Sequence, residues 1–410
     1  MQAAAADRWL LLAGVWLIYL MFGLVTAGLA PLVGSISADL AMGPGAMGMV
    51  MGTWPLAYVV ASLPGGALLD RIGTRRGVLL AVGLMILSTL WRAVAGGPWS
   101  MTAAVALFGL GGPLISVGAP KLIARLFQGR ARGLAMGIYI TGPYLGGVLA
   151  LGLTNGFLLP LVGGSWRGVM FVHAGLIAGS GLVWLALSRR PAIREMTAPQ
   201  GPGAAIPPPM QVLRGLAASS EVRRILAMAI SIFTMIHALN NWLPTLLEAK
   251  GMDPAAAGWW SAMPTAVGVV AALILPRLAE KRLLAMMAGL AVSMLLATLL
   301  LHLPPGLWLA SGLVAQGVAR GTMMTVAMML LMDSRDVPVD RLGLAGGLFF
   351  SVAQLGGALG PALFGLLRQA SGGFDLPLML LSALCCLLLV QVARMRRLRL
   401  SRSGNPATAP

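Results

Sequence analysis

Twelve long apolar segments, separated by short polar connections, restrict this chain to one class of protein. Each segment is 17 to 26 residues long, and about 20 apolar residues in a helix cross the hydrocarbon core of a bilayer. The segments are 10–30, 47–69, 78–94, 101–123, 133–152, 168–187, 225–247, 256–275, 283–301, 307–332, 342–367 and 376–392. Of the 410 residues, 58% are apolar and 10% are charged, whereas soluble domains are about one quarter charged. The sequence predicts an all-α protein with twelve transmembrane helices.

One connection between segments is longer and more polar than the others. Residues 189–224 contain six arginines and the Pro207-Pro208-Pro209 run, a composition typical of an extended linker. We interpret 1–188 as an N-terminal six-helix bundle, 189–224 as a cytoplasmic linker, 225–393 as a C-terminal six-helix bundle and 394–410 as a basic cytoplasmic tail. The first segment is too long for a signal-peptide core, so we expect it to remain in the protein.

The basic residues alternate between the two sides of the predicted membrane. The connections on one side, with the linker and both termini, carry 24 of the 29 Lys and Arg residues, and those on the other side carry four. By the positive-inside rule, both termini face the cytoplasm, which indicates a multi-pass protein of the inner or plasma membrane. The net charge of +17 therefore reflects topology, and nucleic acid is not an expected partner.

A repeat relates the two halves. Segment five contains Gly142-Pro143-Tyr144-Leu145-Gly146-Gly147, and segment eleven contains Gly356-Gly357-Ala358-Leu359-Gly360-Pro361. Small residues let membrane helices approach closely, and proline is tolerated where neighbouring helices satisfy the freed carbonyl groups. Two parallel six-helix repeats are an architecture of secondary transporters.

The loop after segment two carries a family motif. Residues 66–76 read Gly-Ala-Leu-Leu-Asp-Arg-Ile-Gly-Thr-Arg-Arg, which resembles the signature of the major facilitator superfamily, and the Gly-Pro run of segment five resembles a second motif of that family. The resemblance implies transport by alternating access, a central cavity lined by helices one, four, seven and ten, and a gate at the motif loop. The residues that it assigns to the gate are Asp70, Arg71, Gly73, Arg75 and Arg76. Within the family, residues 119–127 and 240–245 are similar to cyanate-permease-type importers of small anions.

Arg320 is the only charged residue near the middle of a predicted helix. An arginine at this depth costs about 2.5–3.5 kcal/mol to insert, so it is expected to face the bundle interior or a wet cavity. Gln316 lies one turn earlier on the same face, and Gly317 and Gly321 leave room beside the guanidinium. We interpret Arg320 as a partner for an anionic substrate; the alternative is an arginine satisfied by backbone carbonyls.

Segment seven carries a polar stripe on an otherwise apolar helix. Thr234, His237, Asn240 and Asn241 share one face, and by the family resemblance this face lines the same cavity as Arg320. His237 is a candidate donor to the substrate or proton carrier, Asn240 and Asn241 are candidate donors, and interhelical packing is the alternative for all three. Tyr19 and Tyr139 are further candidate donors, again with packing as the alternative. Arg92 and His173, near the ends of their segments, are interpreted as structural.

All twelve acidic residues lie outside the middle of the segments, which disfavours a cationic substrate. We therefore expect a secondary active transporter of a small organic or inorganic anion. Its other expected partners are the lipid bilayer and either H⁺ or a counter-anion, and the expected state is a monomer without a cofactor. An exporter of amphipathic drugs or metabolites is the main alternative, and import of a metal by Met and His side chains is a weaker one. A receptor would need a signalling module, and no nucleophile–base pair or metal-ligand spacing indicates an enzyme.

Overall fold

The computed structural model describes residues 2–191, 193, 197, 215, 218–279, 282–334, 336–338 and 341–403, and throughout these residues the regular elements are helices. The main helices are α1 (Gln2–Ala27), α2 (Val33–Asp39), α3 (Pro44–Ala93), α4 (Pro98–Ser116), α5 (Gly118–Leu126), α6 (Gly129–Leu153), α7 (Trp166–Ser188), α8 (Ser220–Ala249), α9 (Pro254–Ala279), α10 (Leu283–Leu300), α11 (Leu307–Met332), α12 (Leu342–Ser371) and α13 (Asp375–Ser403). A π-helical segment, Thr154–Leu158, and a turn, Leu159–Leu161, prolong α6.

Eleven helices in the described residues are long and apolar enough to cross a membrane. One of them, Pro64–Ala93, is the second part of the 50-residue run α3. Gly73 in that run has φ 80° and ψ 161°, a conformation that is essentially restricted to glycine. The helix is interrupted there, so α3 consists of two helices that meet at Gly73. The prediction of an all-α fold with twelve transmembrane helices is confirmed.

The chain forms two compact units. The first comprises Met1–Ala205 and Asn240–Ala262, and the second comprises Ile206–Leu239 and Met263–Pro410. The predicted bundle and linker boundaries stay a prediction, although two details differ from it: residues 220–224 of the predicted linker already belong to α8, and residues 394–403 of the predicted tail continue α13. Most of the predicted linker, from 198 to 214, and the end of the tail, 404–410, lie outside the described residues.

The glycines of segment five hold two helices of the first unit together. A Cβ atom added to Gly142 would lie 3.0 Å from the Trp16 carbonyl oxygen, and one added to Gly146 would lie 2.7 Å from the Leu24 amide nitrogen. The Trp16 indole also donates to the Thr141 hydroxyl oxygen at 3.0 Å. Only a residue without a side chain permits α1 and α6 to pack this closely.

The corresponding glycines of segment eleven act in the same way in the second unit. A Cβ atom on Gly356 would lie 3.0 Å from the Thr234 amide nitrogen, and one on Gly360 would lie 3.0 Å from the Ala238 amide nitrogen. These contacts join α12 to α8, as Gly142 and Gly146 join α6 to α1. The sequence repeat is therefore a repeat of one helix crossing.

Candidate functional site

Arg320 lies on the inward side of α11. The residues of this helix that are exposed include Leu307, Ser311, Val314 and Thr325, and at about 100° per residue each is roughly 120° or more away from Arg320 around the helix axis. Ala319 and Gly321 beside it are buried, whereas the Arg320 side chain is half-buried. Arg320 therefore lies away from the exposed face of its helix, and its side chain as a whole remains partly accessible.

Thr265 of α9 fixes the guanidinium in place. Arg320 Nη1 donates to the Thr265 hydroxyl oxygen at 2.5 Å, and Thr265 is only 2% exposed. The two helices meet through glycines: a Cβ atom on Gly317 would lie 2.7 Å from the Pro264 carbonyl oxygen. The expectation that Gly317 and Gly321 leave room beside Arg320 is wrong, because the backbone of α9 fills that space.

His237 of α8 belongs to the same group of side chains. It interacts electrostatically with Arg320, and its ring packs on the Phe233 ring with the centroids 5.4 Å apart. Both residues lie in the second unit. The structure thus brings together the two candidates that the sequence placed on different helices, and it adds Thr265, which the sequence analysis did not select.

Gln316 is the third predicted member of this group and lies one turn before Arg320. Its side chain is 1% exposed, and its Oε1 atom has no hydrogen-bond partner within the described part of the chain. A buried amide oxygen without a partner costs free energy unless another group donates to it. Gln316 Oε1 and Asn240 Oδ1, which is also unpaired among the described residues, are therefore acceptors still open to a hydrogen bond.

The other predicted substrate contacts belong to the first unit. Asn240 and Asn241 follow His237 by one turn on α8; Asn241 is buried, and among the described residues nothing pairs with Asn240 Oδ1. Tyr19 of α1 stacks on Tyr139 of α6 with the ring centroids 4.5 Å apart and the planes 5° apart. The tyrosine rings therefore contribute to the packing of α1 on α6, and no observation assigns substrate contact to these four residues.

The motif loop forms a small charged cleft of about 60 Å³ at the end of the first unit. Asp70 pairs with Lys121 of α5 at 2.5 Å, and Arg75 donates to the Ser188 hydroxyl oxygen at 3.1 Å. Arg71 and Arg76 are exposed and have no ion-pair partner in the described ranges. Gly73 supplies the break in the helix that turns this loop. Lys121 was visible in the sequence only as one of several basic residues, since an ion pair across 51 positions has no sequence signal.

Arg92 and His173 are both buried inside the first unit and interact electrostatically. They are 2% and 1% exposed; Arg92 donates to the Val25 carbonyl oxygen at 3.4 Å and its guanidinium carbon stands 5.4 Å from the centroid of the Phe108 ring. Val25 lies in the last turn of α1, where carbonyl groups lack helical partners and favour a nearby cation. This geometry agrees with the interpretation of Arg92 as structural, although the sequence did not show that Arg92 and His173 interact.

Comparison with known proteins places this fold among transporters. The probable galactarate/D-glucarate transporter GudP of Escherichia coli (strain K12) is 24% identical over 415 residues, which cover 91% of this chain and 91% of that protein. The 3-(3-hydroxy-phenyl)propionate transporter of Escherichia coli (strain K12) is 29% identical over 382 residues and 88% of each chain. The crystal structure of the nucleoside transporter NupG, 14% identical, matches with a TM-score of 0.77 over 94% of this chain and 99% of that chain.

The sequence model of the Major Facilitator Superfamily matches residues 15–361. The match begins in α1, ends within α12, and includes both the Asp70 loop and the helix of Arg320. The similarity to cyanate-permease-type importers within the family stays a prediction. The apolar helices and the relatives both support an integral, multi-pass membrane protein. The chain belongs to the Major Facilitator Superfamily.

Proposed function

We propose that this protein is a secondary active transporter that moves a small organic anion across the inner or plasma membrane by alternating access, as a monomer with both termini in the cytoplasm. The observation that carries the proposal is Arg320, a guanidinium near the middle of a membrane helix, held by Thr265 beside His237. Charged residues at this depth are rare in membrane proteins and mark substrate or ion pathways, proton relays, voltage sensors or ligand counter-ions.

A carboxylate is the substrate group that this site fits best. The guanidinium offers N–H groups in a planar fork that matches the two oxygens of a carboxylate, and Gln316 adds a buried amide one turn away. The relatives compared above are named for galactarate, D-glucarate and 3-(3-hydroxy-phenyl)propionate, which all carry carboxylates. We propose Arg320 as the main anion partner, with His237 and Gln316 completing its surroundings.

Four further residues are proposed as donors to other parts of the substrate. Asn240 and Asn241 continue the polar stripe of α8 beyond His237, and Tyr19 and Tyr139 present hydroxyl groups from α1 and α6. A hydroxylated acid offers oxygen atoms that amide and phenol groups can bind. Coupling is proposed to use either H⁺, with His237 as its carrier, or exchange for a counter-anion.

Uptake into proteoliposomes tests the substrate class. The purified protein is reconstituted and supplied with radiolabelled galactarate, 3-phenylpropionate, or galactitol, which is the neutral analogue of galactarate. We expect saturable uptake of at least one carboxylate and galactitol uptake at the level of protein-free vesicles, because only the carboxylates supply the charge that Arg320 binds. Uptake of galactitol equal to that of galactarate would contradict an anion site.

The same vesicles separate the mechanisms of coupling. A pH gradient that is acidic outside accelerates uptake if H⁺ is co-transported, whereas preloading with unlabelled substrate accelerates it if anions are exchanged. Loss of the pH response in His237→Gln, with exchange retained, assigns the proton to His237. Efflux of an amphipathic dye without carboxylate uptake would favour the exporter that the sequence leaves as the alternative.

We propose that the loop of Asp70, Arg71, Gly73, Arg75 and Arg76 gates the cytoplasmic side. Asp70→Asn removes the ion pair between Asp70 and Lys121. The side chains of Asp70 and Lys121 are 60% and 50% exposed, so the expected loss of stability is below about 1 kcal/mol. We expect uptake to fall at least fivefold while the melting temperature changes little.

Asp39→Asn is the matched control for this prediction. Asp39 forms a comparably exposed pair with Arg167 at 2.7 Å and lies outside the motif. It also accepts from the Trp166 indole at 3.1 Å, and asparagine keeps an oxygen that can accept this hydrogen bond. Stability should change as little in this variant, and uptake should remain near that of the unmodified protein. Equal uptake by Asp70→Asn and Asp39→Asn would show that the Asp70 pair does not gate transport.

A further inference from the structure

A cleft of about 860 Å³ opens at one end of the second unit, away from Arg320. Its walls come from the start of α10, the end of α11 and the end of α13. The polar lining residues are Arg282, Asp333, Arg396, Arg397 and Arg399. The cleft is large enough for a small-molecule headgroup, and its lining is dominated by positive charge.

In the part of the chain that the structure describes, three of the four cleft arginines have no carboxylate partner. Arg399 is held by Glu221 at 2.8 Å and by Asp333 at 2.9 Å. Arg282, Arg396 and Arg397 are exposed, and within the described residues no carboxylate pairs with them. Asp333, the one carboxylate among the described lining residues, is thus already engaged by Arg399, and the remaining charge favours an anionic ligand.

The start of α10 adds backbone donors to the same cleft. Leu283, Leu284 and Ala285, which form its first turn, line the cleft. The N-cap residue, Arg282, makes no side-chain hydrogen bond to this turn. The first amide groups of a helix lack helical acceptors and carry partial positive charge, an arrangement that binds phosphate groups.

The remaining wall is apolar and continues along membrane helices. Leu284 and Ala288 of α10 face the cleft together with Leu389, Val392 and Ala393 of α13. Both helices belong to the set that is long and apolar enough to span a membrane. A ligand that matches the whole cleft therefore has a negatively charged head and a hydrocarbon tail parallel to the helices.

We propose that this cleft binds an anionic phospholipid, with the phosphate between Arg282, Arg396, Arg397 and the first turn of α10, and an acyl chain along Leu389 and Ala288. Basic pockets between transmembrane helices bind anionic headgroups. A free phosphate would satisfy the arginines but leave the apolar wall uncovered, and a zwitterionic lipid would cover the wall but leave the charge. The proposal is independent of the transported substrate.

Lipid binding to the purified, detergent-solubilised protein tests this site. Dioleoyl phosphatidylglycerol, dioleoyl phosphatidylcholine with the same chains, and inorganic phosphate are titrated separately, with bound lipid counted by native mass spectrometry and stability followed by thermal melting. Of the three ligands, we expect only phosphatidylglycerol to bind tightly and to raise the melting temperature of the protein. Each arginine removed should weaken its binding about fivefold, so Arg396→Gln with Arg397→Gln should weaken it about 25-fold.

The matched control is Arg130→Gln with Arg132→Gln, which removes two exposed arginines from the start of α6 in the first unit. This variant should bind phosphatidylglycerol as the unmodified protein does. An equal loss in both double variants would reduce the effect to general surface charge, and equal binding of phosphatidylcholine would exclude headgroup recognition. The same protection by inorganic phosphate would identify a site for free anions; each of these results overturns the proposal.

A second variant tests the apolar part of the cleft without changing charge. Leu389→Trp fills the wall that we assign to the acyl chain and keeps every arginine. Leu389 is half-buried, so we expect the variant to fold and to bind phosphatidylglycerol at least fivefold more weakly. Unchanged binding by a folded Leu389→Trp protein would contradict the assigned position of the acyl chain and with it the lipid site.

Discussion

Replacing Arg320 by alanine is expected to lower carboxylate uptake at least a hundredfold while the protein still folds. Removing one member of a desolvated charge pair costs about 2–5 kcal/mol, and about 2.7 kcal/mol corresponds to a factor of one hundred. The fold should survive because the variant also removes the cost of about 2.5–3.5 kcal/mol for inserting an arginine at the helix centre. Uptake in proteoliposomes and a thermal melt of the same preparation measure the two effects.

Two further variants distinguish a binding role from a structural one. Arg320→Lys keeps the charge but loses the planar fork, so uptake should persist with a KM raised about tenfold or more. Thr265→Val keeps the guanidinium but removes the oxygen that accepts its Nη1 hydrogen, so the KM should rise again with little change in stability. Arg368→Ala, at the end of α12 where the guanidinium packs over Phe374, is the control and should transport normally.

Carboxylate uptake by a folded Arg320→Ala protein at the level of the unmodified chain would remove Arg320 from the site. The family assignment and the twelve-helix fold would be unaffected, since neither depends on this residue. The proposed substrate class would lose the observation that carries it. The Arg320→Ala variant therefore tests the substrate class without testing the fold.

Hydropathy was sufficient to predict most of the fold. Span 307–332 coincides with α11, and 283–301 differs from α10 by one residue, because a membrane helix is defined by the length of its apolar run. The boundary between the second and third spans was also visible, through Asp70 and the arginines around it. The break between these helices is confined to one residue with φ 80°, and this conformation requires the glycine at position 73.

The candidate site was predictable only where the sequence contains an unusual residue. Arg320 and His237 are conspicuous in apolar helices, whereas Thr265 resembles any threonine that bonds its own helix. Its role depends on the crossing of α9 and α11, which brings residues 55 positions apart within hydrogen-bond distance. The ion pair of Asp70 with Lys121 and the electrostatic interaction of Arg92 with His173 could not be predicted for the same reason.

Gly146 and Gly360, which lie at the repeated helix crossing, should tolerate substitution less well than the other residues of their helices. In Gly146→Leu, even the Cβ atom would overlap the α1 backbone at Leu20 and Leu24. In Gly360→Leu it would overlap the α8 backbone at Thr234 and Ala238. Overpacking a core costs about 1–3 kcal/mol when side chains can move, and backbone of a packed helix yields less. We expect both variants to lose the monodisperse folded protein in size-exclusion chromatography.

Each helix supplies its own control for this prediction. A Cβ atom on Gly137 of α6 or on Gly347 of α12 meets no other atom within 4 Å, so Gly137→Leu and Gly347→Leu should remain folded, with a small gain in helix propensity over glycine. Because the test and control glycines share a helix, a difference in folding reports the crossing and not the helix. If Gly146→Leu and Gly360→Leu melt at the temperatures of their controls, close packing of α1 on α6 and of α8 on α12 does not stabilise the two units.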